Sequence, residues 1–265
     1  MDVINWNEFL FPYERTVEEL IVKFNNIIKE HIIRGVYSPI ESVSGRVKKV
    51  PSILEKSARK LIPDADIPEK IEDIAGIRLI CQFEEDIPKV VDIIRKRDGK
   101  DLKIIEERDY ITNIKPSGYR SYHIIVKYFL HTAGEDKEII AEIQIRTLAM
   151  NFWATIEHTL KYKYSGNIPE KLQKRLIDCA KAASNLDNEM ATIRSEIMDA
   201  ERQNNICSNL VTQIIDSIQS LYVVVGFEEM NRLNNEFVCI WEKGDIENLK
   251  EFNDNLNILR EVYRV

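Results

Sequence analysis

Apolar positions recur along this chain with two different periods. Between residues 14 and 34, Val17, Leu20, Ile21, Phe24, Ile27 and Ile28 stand at helical spacing among Glu and Lys, which predicts an amphipathic helix ending near Gly35. The segment Gly45-Arg46-Val47-Lys48-Lys49-Val50 reads as extended, and Pro51 suits the first turn of a second helix running to about Leu61. On that helix Ser52, Lys56 and Arg59 share one face, with Ile53, Leu54, Ala58 and Leu61 expected towards the core. Alternation with period two then marks three strands, at residues 76–83, 121–128 and 138–146. Lys103 to Arg108 is a candidate fourth, and Ile87 to Ile94 reads as a helix between strands.

From Leu148 onward the period is helical again. Leu148, Phe152, Ile156 and Leu160 recur, and after Pro169 so do Leu172, Leu176, Cys179, Ala183, Leu186, Met190, Ile193 and Ile197. The fold class expected is therefore α+β: a mixed β-sheet flanked by helices, with a long C-terminal helix able to pack against a partner. Residues 1–204 are expected to form the main domain and 205–265 a C-terminal extension. Its apolar stretches, such as Leu221-Tyr222-Val223-Val224-Val225 and Val238-Cys239-Ile240-Trp241, are too hydrophobic for a simple disordered tail.

Composition changes this picture in three ways. The chain has 265 residues, 44% of them hydrophobic, which is enough for an ordinary core without staples. Its formal net charge is −7, so the overall field repels polyanions, and any phosphate chemistry must come from a local cluster of Lys and Arg. The four cysteines are far apart and show no zinc or disulfide spacing, which fits a reducing compartment. Met1-Asp2-Val3-Ile4-Asn5-Trp6 lacks a basic region followed by an apolar stretch, and no run is long enough to span a bilayer, so a cytoplasmic location is expected.

The densest positive charge runs from Arg46 through Lys48, Lys49, Lys56, Arg59 and Lys60, with Ser52 near the helix start. Helix amides, a hydroxyl and several cations make a cradle for a polyphosphate, although a charge run of this kind is also what a solvated helix face looks like. Asp73, at the entrance to an apolar strand, suits a hard cation; it equally suits an N-cap or a salt bridge to Arg78. In the strand from Glu138 to Arg146 the period puts Glu142, Gln144 and Arg146 on one face. A carboxylate there must be exposed, paired or metal-bound, and taken alone the strand favours exposure. With Asp73, Glu142 offers the second ligand of a magnesium site and a proton acceptor for an attacking hydroxyl. The segment from Lys115 to His123 adds a glycine turn, a stacking aromatic in Tyr119, and phosphate-holding candidates in Lys115 and His123; an ordinary loop before a strand is the plain alternative.

Taken in order, Gly45-Arg46-Val47-Lys48, Ser52 with Lys56 and Arg59, Asp73-Ile74-Ala75-Gly76-Ile77-Arg78, Lys115 to His123, Glu142-Ile143-Gln144-Ile145-Arg146-Thr147, and Trp153 with Glu157-His158 resemble the synthetase domain of the RelA/SpoT family. The likeness runs over about residues 6 to 200 and is strongest to the small alarmone synthetases of the RelQ type. It implies a nucleotidyltransferase-like fold and transfer of the β,γ-pyrophosphate of ATP to the 3′-hydroxyl of GDP or GTP. It further implies that Arg46 and Arg78 flank the adenine, and that Lys48, Ser52, Lys56 and Arg59 hold the ATP phosphates. Asp73 and Glu142 would bind Mg2+, with Glu142 also the base. Tyr119 would stack on the guanine, Lys115 and His123 would meet the acceptor's 5′ phosphates, and Gln144 and Asn151 would place its nucleoside.

The chain has no His-Asp dipeptide and only four histidines, so synthesis without hydrolysis is expected. A homotetramer and a single-stranded RNA regulator are further expectations from the likeness. The region matching the family's pppGpp-binding cleft carries Asn25, Ile28 and Ser42, which departs from the basic and aromatic residues expected there. Two other readings share parts of the pattern: a catalytically silent nucleotide- or RNA-binding regulator, and a toxic member that pyrophosphorylates tRNA or adenosine nucleotides.

Overall fold

The structure, a computed structural model, describes residues 5–163, 169–244 and 246–264; the reading of Met1 to Ile4 as free of a leader lies outside them. Helix α1 (Trp6–Ile33) begins earlier than its apolar period suggested. Asn5 caps it by accepting from the Glu8 amide, and along the added turns Trp6 meets Phe9 edge-on while Phe9 and Tyr13 lie tilted at 36°. Pro12 lies inside this helix past its first turn, where it leaves the Glu8 carbonyl without its helical donor, and the helix continues through it.

After α1 come β1 (Ser42–Val47), α2 (Val50–Lys60), a 3-10 turn at Asp64–Asp66, α3 (Ile67–Lys70) and β2 (Ala75–Cys81). Then follow α4 (Asp86–Arg95), β3 (Leu102–Asp109), β4 (Tyr122–Leu130), β5 (Lys137–Thr147) and α5 (Leu148–Lys163). The strands form one mixed five-stranded sheet in the order β1-β2-β5-β4-β3, in which only β2 and β5 run parallel. The α+β architecture expected from the alternating periods is the one observed.

Register sorts the strand residues into two faces. On one, Gly45, Ile77, Ile143 and Ile124 lie side by side, and with Tyr13, Val17, Leu20 and Phe24 of α1 and Ile87, Val90, Val91 and Ile94 of α4 they belong to one core. Gly45 is required here because a Cβ would stand 2.7 Å from Val17 Cγ1 and 2.9 Å from Ile77 Cδ1; its absence lets α1 lie close on the sheet. On the other face, Arg46, Gly76 and Glu142 form one row and Ser44, Arg78, Gln144 and His123 the next.

Two expectations about burial are corrected. Leu54, Ala58 and Leu61 are exposed, and α2 seats itself through Ile53 and Ser57 instead. Ser57 can be buried because its hydroxyl donates to the Ile62 carbonyl, closing the helix end where Leu61 adopts φ +54°. The exposure that the strand taken alone favoured for Glu142 is not found; Glu142 is buried together with His123 and Arg146.

Helix α6 (Glu170–Leu221) is one uninterrupted helix of 52 residues. The chain divides within it, into a unit up to Ala191 and a unit from Thr192. The polar run from Asp199 to Asn205 hides that continuity from the apolar period but does not break the helix, since nothing in it is Gly or Pro. In the second unit the end of α6 packs with α7 (Phe227–Lys243) and α8 (Ile246–Tyr263) around Ile214, Ile218, Leu221, Met230, Leu233, Leu249, Phe252 and Leu256. The stretch from Leu221 to Val225 is thus a helix end and turn between packed helices. Among the described residues, no helix is long and apolar enough to cross a membrane.

Candidate active site

The polar face of the sheet opens on a cleft of about 220 Å³ lined by Arg46, Asp73, Arg78, Glu142 and Gln144, with Ser44, Gly45, Gly76 and Ile77. Five of the residues singled out from the sequence therefore meet in one hollow, although they come from β1, the turn before β2, β2 itself and β5. Two strand rows bring them together: Arg46 pairs with Gly76, Gly76 with Glu142, and Arg78 with Gln144.

Asp73 is held by the basic segment. Lys48 Nζ donates to its Oδ2 at 2.8 Å and Lys56 Nζ to its Oδ1 at 2.7 Å. Burial pushes its carboxyl up, but the two ammonium groups outweigh burial and hold it below the usual range. The helix face carrying Lys56 is therefore turned to the cleft, and the local alternative for Asp73, a bridge to Arg78, is not what forms. Arg78 is instead beside like charge: burial first, then Arg146 and Arg46, lower the affinity of its guanidinium for its proton. Its Nε is buried without a hydrogen-bond partner.

Glu142 stands in a different setting. His123 Nδ1 lies 2.9 Å from its Oε1, and Gln144 Nε2 donates to its Oε2 at 2.6 Å. Burial again raises the carboxyl, and the hydrogen bonds from His123 and Gln144 bring it below its ordinary value, against the repulsion of Asp73. Tyr119 OH lies 2.8 Å from His123 Nε2 and accepts from Arg146 Nη2 at 2.5 Å; the same Nη2 donates to Gln144 Oε1 at 2.8 Å. Lys115 Nζ sits 5.1 Å from the centroid of the Tyr119 ring and 4.0 Å from that of Tyr110, whose edge meets His123. Burial lowers the pKa of Lys115, with Glu142 opposing and Arg108 adding to the effect.

The loop carrying Tyr119 is fixed from behind by the first half of α6. Gly118 has φ +86°, and a Cβ there would stand 2.6 Å from Ala180 Cβ, so both the backbone and the contact demand glycine. Arg120 donates to Ser184 Oγ at 2.5 Å and forks onto Glu84 at 3.0 and 2.9 Å. Trp153 Nε1 donates to the Leu176 carbonyl at 2.9 Å, and Trp153, Ala154 and Ala180 form a small core against which Tyr119 packs. Thr147 caps α5 by accepting from the Met150 amide while its hydroxyl donates to the buried Asp187.

Among the described residues, Ser52, Arg59 and Asn151 make no hydrogen bond to the other candidates; Ser52 and Arg59 stand on the helix that carries Lys56, and Asn151 Oδ1 is buried on α5 without a partner. Reasoning from the chain alone missed Tyr110, Ser121, Arg120 and Asp187, which carry no spacing signal. It placed Arg146 on the Glu142 face without giving it a task.

The donor set suits a hard divalent ion. Asp73 and Glu142 border one cleft and repel each other, and neither histidine nor cysteine joins Asp73 there. Among the described residues no group of three or more His, Cys, Asp or Glu could hold a metal, so an ion at these two carboxylates would need further oxygen ligands from outside the chain, a need that suits Mg2+. The lysine ammoniums on Asp73 mark its oxygens as a seat for positive charge.

Residues 45–167 match the family model described as "Region found in RelA / SpoT proteins". The chain is 53% identical over 201 residues to the GTP pyrophosphokinase YjbM of Bacillus subtilis, covering 76% of this chain and 94% of that protein. It is similar to the crystal structure of small alarmone synthetase 1 of B. subtilis bound to its product pppGpp, with a TM-score of 0.69 at 53% identity over 72% of this chain and 97% of that one. The same enzyme bound to AMPCPP matches with a TM-score of 0.64 at 48% identity, over 73% of this chain and 98% of that one. With its motifs gathered on one sheet face and this likeness spanning nearly the whole of its relatives, the chain belongs to the RelA/SpoT family, as one of its small alarmone synthetases.

Proposed function

We propose that the cleft transfers the β,γ-pyrophosphate of ATP to the 3′-hydroxyl of GDP or GTP, giving ppGpp or pppGpp and AMP. The observation that carries this is the meeting of two unlike carboxylates in one cleft: Asp73 against the lysines of the basic segment, and Glu142 within the hydrogen-bonded group from Tyr119 to Arg146. The similar B. subtilis enzyme bound separately to AMPCPP and to pppGpp supports a donor and an acceptor site of this kind.

In this reading Lys48, Lys56, Ser52 and Arg59 bind the ATP phosphates, and Arg46 and Arg78 border its base. Tyr119 supports the guanine, Lys115 meets the acceptor's phosphates, and Gln144 and Asn151 position its nucleoside; for His123 to meet those phosphates it would have to release Tyr119 or Glu142, which now hold both its ring nitrogens. The acceptor 3′-oxygen attacks the β-phosphorus, the bond from that phosphorus to the α,β-bridging oxygen breaks, and AMP leaves with that oxygen. Glu142 takes the hydroxyl proton; the hydrogen bonds from His123 and Gln144 keep it ionised, which a proton acceptor requires. Asp73 and Glu142 would hold Mg2+, whose part is to neutralise the phosphate oxygens. Purified protein given ATP, Mg2+ and GDP or GTP should yield AMP and a 3′-pyrophosphorylated guanosine nucleotide on anion-exchange chromatography, and the absence of both products rejects the reading.

The assembly we propose is a homo-oligomer, a tetramer by likeness. Leu148, Phe152 and Ile156 on α5 and Leu172, Leu186 and Met190 on α6 are exposed apolar residues that a second copy would cover. Light scattering on the purified protein reads this directly, and a monomer refutes it. Four free cysteines accord with a cytoplasmic location.

A further inference from the structure

The polar groups around Glu142 close into a ring. Going round it, Arg146 donates to Tyr119 OH, Tyr119 OH meets His123 Nε2, His123 Nδ1 meets Glu142, Gln144 donates to Glu142, and Arg146 donates to Gln144 Oε1. The ring has one member that can only donate, Arg146, and one ionised member that can only accept, Glu142. Every other member can turn either way: a phenol, an imidazole with two tautomers and an amide that can flip. Two arms therefore run from Arg146 to Glu142, one through Tyr119 and His123, the other through Gln144.

Donor and acceptor bookkeeping then fixes each direction. Because Arg146 occupies Gln144 Oε1, the amide must present Nε2 to Glu142. Because Glu142 accepts at Oε1, His123 carries a proton on Nδ1, and in the neutral ring Nε2 takes the Tyr119 hydroxyl proton, leaving the phenol oxygen to accept from Arg146. Arg146 is itself held: it is 5% exposed, its Nε donates to Ser121 Oγ at 3.2 Å, and its Cζ stands 5.1 Å from the centroid of the Tyr119 ring.

We infer that Arg146 is a positioning residue for the acceptor nucleotide, setting the direction of both hydrogen-bond arms and so orienting Tyr119, Gln144 and His123 around Glu142. This rests on the acceptor site proposed above. Arg146 makes no hydrogen bond to the ATP-side lysines and meets Arg78, on the donor side, only as like charge, so its removal should weaken acceptor binding without weakening donor binding. A lysine in its place has a single charged nitrogen without the planar fork, and glutamine can both donate and accept, so its amide no longer dictates the direction of either arm.

The test is a comparison of wild type, R146K and R146Q by steady-state kinetics and by calorimetric binding of GDP and of a non-hydrolysable ATP analogue. The expected result for R146Q is a loss of ~10²-fold in kcat/KM for GDP, the scale of misplaced reacting groups, with GDP affinity reduced and analogue affinity within twofold of wild type. R146K should fall between R146Q and wild type, and Y119F, which keeps the ring but removes the shared hydroxyl, should move GDP affinity in the same direction. Two outcomes overturn the inference: R146Q matching wild type in GDP affinity and turnover, or R146Q losing GDP and analogue binding equally, as general loosening of the fold would produce. A wild-type protein that binds both nucleotides but makes no product removes the proposed reaction instead, and the GDP affinities still decide the place of Arg146.

Discussion

The two faces of the sheet are built from the same strands, yet they solve burial in opposite ways. On the α1 side, Gly45, Ile77, Ile143 and Ile124 are joined by aliphatic and aromatic side chains, and close contact alone fills the space. One residue to either side on these strands, Arg78, Gln144, Glu142 and His123 sit largely out of water with charges and amides. On that face Glu142, Gln144 and His123 bond to one another, so removing one leaves another unsatisfied, while Arg78 keeps a buried Nε without a partner. The lesson is that one face sets how firmly the domain holds, and the other what it can do.

The comparison is broken most directly by Glu142→Gln. It keeps the shape and removes the base and a metal ligand, so kcat should fall ~10³-fold or more while ATP binding persists, as product chromatography and calorimetry will show. Wild-type turnover in this variant would remove the polar face from the chemistry. Asp73→Asn comes next: Lys48 and Lys56 lose the charge they now hold, and kcat should fall ~10²-fold with a higher Mg2+ requirement, read from titration of the ion at fixed nucleotide.

On the opposite face Gly45→Val should do the reverse. The added methyls meet Val17 and Ile77, so urea unfolding should show a loss of ~1–3 kcal/mol, while kcat of the folded fraction stays within a few-fold of wild type. A large fall in kcat without a shift in unfolding would show that the two faces are not separable. The smallest effect is in acid. Asp73 and Glu142 titrate below their ordinary values of 3.8 and 4.5, so the stability they contribute is complete above those values and is lost as pH falls through the lower, folded ones. Unfolding midpoints of Asp73→Asn should therefore decline less than wild type between pH 5 and pH 3, and parallel curves would count against the Lys48–Asp73–Lys56 arrangement.

Much of this was legible in the chain because periodicity reports faces. The strand from Glu138 to Arg146 showed which residues share a side, and the spacing of Ser52, Lys56 and Arg59 showed a helix face. What periodicity cannot report is whether a polar side is covered, which is why the strand taken alone favoured exposure for Glu142 and the helix period put Leu54 and Leu61 in the core. Both errors have one origin: tertiary neighbours decide burial, and Ser57 with its hydroxyl bonded to Ile62 is as good a buried residue as leucine. The earlier start of α1 was missed because the helical period was read from Val17 onward, and the turns from Trp6 to Tyr13 lie before it. The long-range partners Ser184, Ala180 and Asp187 left no trace in the sequence, since contact between a loop and a helix far along the chain obeys no spacing rule.

The fit between Gly118 and Ala180 carries a constraint on how this protein can change over generations. Neither position can gain bulk alone: the loop has no room for a methyl group, and the helix already reaches the loop backbone. A leucine at 180 should push the Tyr119 loop outward and weaken guanosine binding from a site that touches no nucleotide. Sequence drift along α6 is thus policed from the far side of the contact, and substitutions tolerated elsewhere on that helix should be absent at this one turn.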